Sequence, residues 1–152
     1  MKQLPRTLAA ALALFLAGAF VGPQVASAQE SVIDYRKSLM NAFRTHMGGV
    51  SAALSDAAPV GHAEHHAVAF ERMAQALANV FPEGSMGENS RALPAIWQNR
   101  DDFLNKVTAI QSATARLVTA SRSGDAEQIG TALQAVRGTC AGCHNPYRGP
   151  AN

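Results

Sequence analysis

The stretch from Asp125 to His144, "DAEQIGTALQAVRGTCAGCH", decides how the chain folds, because its start, its middle and its end are all written in helical terms. Asp125 is a favoured N-cap residue, and Gln128 three places on can complete a capping box. Ile129, Leu133, Val136, Cys140 and Cys143 then recur at steps of four and three, which places them on one face of a helix. Both sulfurs therefore continue a core-facing stripe, and His144 lies just beside it.

The same spacing recurs upstream. Val32, Leu39, Phe43, Met47, Val50 and Leu54 carry a first helix that ends before Pro59 and Gly61, and Val68, Phe70, Met73, Leu77 and Val80 carry a second, closed by Pro82 and Gly84. The segment "FPEGSMGENSRALP" has no periodicity and reads as a long loop over one end of the molecule. Pro94 then opens a third helix through Ile96, Phe103, Val107, Ile110, Leu117 and Val118, with Gly124 as its terminator. No alternating run suggests a strand. The fold class expected is all-α, an antiparallel up-down four-helix bundle.

The first residues supply Lys2 and Arg6, an apolar run from Leu8 to Gly22, and the small-residue site Ala26-Ser27-Ala28 before Gln29. That order is a secretory leader, so residues 1–28 are expected to be cleaved and 29–152 to form one domain exported to the periplasm, without stable membrane insertion. All 11 acidic residues follow the leader, whereas two of the 13 basic ones lie in it, so the mature chain is charge-balanced. Nothing in that balance argues for a nucleic-acid partner.

Three chemistries use cysteines three apart: a redox dithiol, half of a zinc site, and a covalent haem anchor. A reactive thiol gains from a helix N-terminus, whereas these lie at a C-terminal end. A structural zinc site needs four ligands, and no other cysteine exists; His62, His65 and His66 are a weak source for the rest. The haem reading satisfies Cys140, Cys143 and His144 together, with two thioethers on one helical turn and an imidazole for the iron.

A haem anchor at the extreme C-terminus of a four-helix bundle resembles the class II cytochromes c, the family of cytochrome c prime. The resemblance covers the whole mature chain and rests on "DYRKSLMNAF", "PAIWQNRDDF" and, most specifically, "CAGCHNPYR". It implies one haem c, held covalently by Cys140 and Cys143, with His144 as the proximal ligand and Arg148 as the basic residue near that face. Arg36 matches an arginine beside a haem propionate, and Tyr147 follows the anchor closely enough to contact the cofactor. Proline at 146 departs from the usual pattern of that turn.

By the same resemblance Met40 faces the distal side of the haem. The expectation is the low-spin subgroup, with iron held by His144 and Met40 and single electrons carried between redox donor and acceptor proteins. The alternative is five-coordinate iron that binds nitric oxide or carbon monoxide, with Met40 a core filler. Neither reading makes the protein an enzyme, and no catalytic constellation stands out. Trp97 and Phe103 serve equally as core aromatics or haem-lining residues. His62, His65 and His66 read best as a solvated helix start, and a homodimer through the first two helices is compatible with the family.

Overall fold

The apolar spacings of three and four become helices throughout the computed structural model, which describes residues 23–150. The elements are α1 (Pro23–Leu54), α2 (His62–Ala74) continued by a 3-10 turn (Gln75–Asn79), α3 (Ala95–Gln98), α4 (Arg100–Ser123) and α5 (Ala126–Tyr147). Most of the expected leader lies outside the described residues. The backbone of α1 runs through Ala26 to Ala28, so cleavage there would shorten the helix without removing Glu30, which accepts a hydrogen bond from Asn89 at 2.8 Å.

α1, α2, α4 and α5 are the four long helices of the bundle, packed in the order of the chain. Phe70, Phe103, Ile96, Leu117, Ile129, Val50 and Val136 fill its interior. Phe43 stacks on Phe70 across α1 and α2 with ring centroids 4.8 Å apart. Full burial of each such side chain contributes about 1.5–3 kcal/mol, which explains why these spacings dominate the fold.

Local signals around Gly124 act as the sequence implies, with one change of partner. Gly124 takes φ +69°, the left-handed conformation that ends α4. The Asp125 carboxylate accepts from the backbone N–H groups of Glu127 and Gln128 at 2.9 and 3.1 Å. The Gln128 amide, however, donates its Nε2–H to Asp125 Oδ2 at 2.8 Å instead of accepting from the Asp125 backbone N–H, which donates to Ser123 Oγ.

The third helix departs from expectation because it is not continuous. Asn99, at φ −121° and ψ 51°, separates α3 from α4, and Pro94 is the N-cap of α3. Tertiary hydrogen bonds account for the break: Trp97 Nε1–H donates to Pro82 O at 2.9 Å, and the Arg100 guanidinium donates to Ala78 O at 3.1 Å. Both tie the break to the loop after α2. One isolated bridge pairs Ala92 with Arg148, and no strand forms among the described residues.

Candidate haem site

α5 brings Cys140, Cys143 and His144 together in its last two turns. Both thiols are half-buried, pack against the core, and are not joined in a disulfide. Burial raises the pKa of both, and Cys140 adds to the rise at Cys143. They are neutral thiols at neutral pH, which argues against a reactive dithiol. No group of three or more metal-binding side chains is assembled among the described residues, so the zinc reading finds no site.

His144 is half-buried. Its pKa is lowered first by burial and then by Arg148 and Arg91, which keeps the imidazole neutral and its lone pair available for a metal. Arg148 itself is exposed, and its backbone N–H donates to His144 O at 3.0 Å. Pro146 lies inside α5 and has no N–H for the carbonyl of Gly142. The helix nevertheless continues to Tyr147, because Gly142 is exposed and water can take the place of the missing donor.

The end of α5 is pinned to the long loop. Leu93 N–H donates to Tyr147 O at 3.1 Å and Gly149 N–H to Arg91 O at 2.8 Å, while Arg91 Nε returns a bond to Gly149 O at 2.9 Å. These bonds hold the turn after His144 in one position. Sequence reading passed over Arg91, whose partners lie 58 residues away.

Tyr147 is buried, packs edge-on against Phe103 with centroids 5.4 Å apart, and donates its phenol proton to Asp102 Oδ2 at 2.6 Å. Phe103 is buried between Tyr147 and Phe81, so both aromatics serve the joint between α4 and α5. The Asp102 bond, and then burial, push the Tyr147 pKa from 10.0 up to about 12. A phenol whose folded pKa is raised stabilises the fold fully below its unfolded value, and that contribution disappears as pH climbs from about 10 to about 12. Tyr147→Phe should cost about 1–2 kcal/mol at neutral pH, since Asp102 stays partly in water, and should flatten the alkaline loss of stability. Denaturant unfolding of both proteins across that range checks it, and equal stability at neutral pH would refute the role.

Arg36 is 5% exposed, one turn before Met40 on α1. Its guanidinium donates to Ser85 O at 2.9 Å, Ser90 Oγ at 2.8 Å, Ser85 Oγ at 3.1 Å and Val80 O at 3.3 Å, and lies over the Phe81 ring at 4.6 Å. Every acceptor is neutral, and no carboxylate pairs with it among the described residues. Burial lowers its pKa from the usual arginine value. It is a buried cation with no protein anion beside it.

Met40 is half-buried and packed against the edge of the core. The hydrogen bond from Arg137 Nη2 to Ser51 Oγ, at 2.9 Å, fixes how α1 and α5 run past each other. Leading away from it, α1 places Met47, Phe43 and Met40 on the core side while α5 places Cys140 and Cys143 there. α1 and α5 touch more sparsely than α1 with α2 or α4 with α5. The half-buried cysteines, the neutral imidazole and the unpaired cation all fit a haem attached to α5, with its carboxylates.

A family profile described as Cytochrome C' matches residues 31–148. The chain belongs to the cytochrome c' family. Its cofactor is accordingly haem c, covalently attached. The cytochrome c' of Pararhodospirillum photometricum is 37% identical over 123 residues, 78% of this chain and 97% of that protein. Cytochrome c-554 of Cereibacter sphaeroides is 32% identical, covering 78% of this chain and 81% of the relative. A nitric oxide complex of a variant cytochrome c prime from Alcaligenes xylosoxidans superposes with a TM-score of 0.73 at 24% identity, over 80% of this chain and 97% of that one, and so shows the shared fold.

These matches establish cytochrome c' kinship and give no support to the narrower assignment to a low-spin, six-coordinate subgroup. No helix among the described residues is long and apolar enough to cross a membrane.

Proposed function

We propose that this cytochrome c' is an exported haem protein that binds nitric oxide or carbon monoxide. Cys140 and Cys143 form the thioether anchors, His144 is the one protein ligand of the iron, and Met40 walls the opposite face. The observation that carries this reading is the kinship itself: the Pararhodospirillum cytochrome c' is 37% identical, and the same fold carries nitric oxide in the Alcaligenes variant. When bound, the haem supplies an iron with an open coordination position.

The protein's own residues then divide the work. Leu93 and Arg91 pin the α5 turn that follows His144, and burial, then the guanidinium groups of Arg148 and Arg91, keep its ring unprotonated. Arg36, a buried cation without an acid partner, is suited to a haem carboxylate through the Nε–H that its loop bonds leave over. The apolar side chains of Phe43, Met40 and Met47 make a dry wall that favours an uncharged diatomic over water or anions. Export to the periplasm, with cleavage after Ala28, rests on the leader pattern of residues 1–28.

A second reading, the one the sequence first suggested, is a carrier of single electrons with His144 and Met40 both on iron. It is favoured by the thioether of Met40 on the core side of α1 and by kinship with a protein named cytochrome c-554. Optical spectra of the holoprotein with and without carbon monoxide separate the two. Gas binding predicts broad high-spin bands, ready carbon monoxide binding, and no change of spin state in Met40→Leu. Sharp, split bands that ignore carbon monoxide and vanish in Met40→Leu would replace it with the electron carrier.

A further inference from the structure

Four histidines gather where α1 meets the start of α2. His46 comes from α1, and His62, His65 and His66 from α2. The closest pair spans the two helices: Nδ1 of His46 and Nδ1 of His66 are 3.1 Å apart, with both rings half-buried. The sequence shows only the α2 group, and His46 joins it through tertiary packing.

The position of His66 depends on a particular residue opposite. A side chain on Gly49 would run into three atoms of the His66 ring, inside contact distance. Glycine within a helix costs about 1 kcal/mol relative to alanine, and at this position it opens the space in which the imidazole lies against α1. Burial, followed by His46, His62 and His65, lowers the His66 pKa, so its ring is neutral at neutral pH.

Two nitrogens that face each other at this separation share one proton in the metal-free chain, one donating and one accepting. They also match the bite of a chelate. Two metal–nitrogen bonds of about 2.05 Å span 3.1 Å when they meet at about 98°, between the square-planar and tetrahedral angles.

We propose that His46 and His66 form a surface chelate for a divalent transition ion of the copper or zinc class, distinct from the haem. The ion takes the place of the shared proton, which is relocated through solvent to Nε2 of the ring that carried it, so both imidazoles stay neutral with hydrogen on Nε2 and no net proton is released. Water fills the remaining positions, because no third metal-binding side chain completes a ready-made site among the described residues. Bridging α1 to α2 in this way ties together the two helices that carry Met40 and the Phe43–Phe70 stack.

The test titrates Cu2+ into the untagged, haem-loaded mature protein, with equilibrium dialysis for stoichiometry and copper electron paramagnetic resonance for nitrogen ligation. The expected result is one Cu2+ per chain with two nitrogen ligands. His46→Ala and His66→Ala should each weaken binding by about tenfold or more, given that even outer partners of metal ligands cost that much. Gly49→Ala, which removes no imidazole, should weaken it by displacing the His66 ring. The double variant His62→Ala/His65→Ala should retain the stoichiometry. Circular dichroism and the haem spectrum confirm that each variant is folded. Unchanged affinity in His46→Ala, or loss of binding only in the His62→Ala/His65→Ala variant, would overturn the proposal.

Discussion

Changing both Cys140 and Cys143 to alanine should give a chain whose mass, after acid and organic extraction, is that of the polypeptide alone, whereas the wild type keeps a haem-sized addition. The expectation rests on the bond type, because thioethers survive conditions that strip a haem held only by its iron ligand. Both sulfurs are half-buried on the core side of α5 and are not consumed by a disulfide, so each is placed to react with the cofactor. Single variants should keep the added mass through the remaining thioether. His144→Ala should keep it as well while losing the wild-type ligand spectrum, which separates attachment from coordination. A wild-type chain without the added mass would overturn both readings of function at once. The double variant should also be less stable, because α1 and α5 make few direct contacts and loss of the cofactor removes a packing partner of the half-buried side chains beside the anchor.

Much of this anchor is legible in the sequence because it is local. Cys140, Cys143 and His144 fall within two turns of one helix, Asp125 caps that helix from its own N-terminus, and Gly124 ends the previous one with its own backbone. Periodicity alone then brings the stripe of α5 to the core. Features set by partners far along the chain are less visible. The break at Asn99 interrupts a good helical pattern because Trp97 and Arg100 bond to the segment after α2. The sequence places Tyr147 beside the anchor but does not show that Asp102, 45 residues earlier, accepts from its phenol. His46 looks like a solitary polar residue on α1 until α2 delivers His66 to it.

Arg36 shows the same limit and gives the second large effect. Sequence places it one turn before Met40 and the resemblance assigns it to a haem propionate, yet neither reveals that it also holds the long loop. Its acceptors lie 44 to 54 residues away, on Val80, Ser85 and Ser90, and Ser90 Oγ in turn accepts from the backbone of Ala92. Arg36 is thereby connected to the segment that pins the end of α5 after His144. Arg36→Met keeps the length of the buried stem but removes every donor. Bonds from a charged donor contribute about 1.5–3 kcal/mol each, and loop carbonyls that regain water recover part of that, so the net loss should be about 3 kcal/mol. For a domain of this size the Tm should fall by about 10 °C. Limited proteolysis should show a new cut between residues 82 and 94 ahead of any cut in the helices, since those bonds are what hold the loop down. Arg36→Lys should fall between the two, because one ammonium cannot reproduce a planar fork shared among four acceptors. A holoprotein with Arg36→Met that melts with the wild type and resists cleavage in this loop would show that the guanidinium does not hold it. If the Tm falls without a new cut in the loop, the stability lost belongs to the pairing of Arg36 with the haem carboxylate.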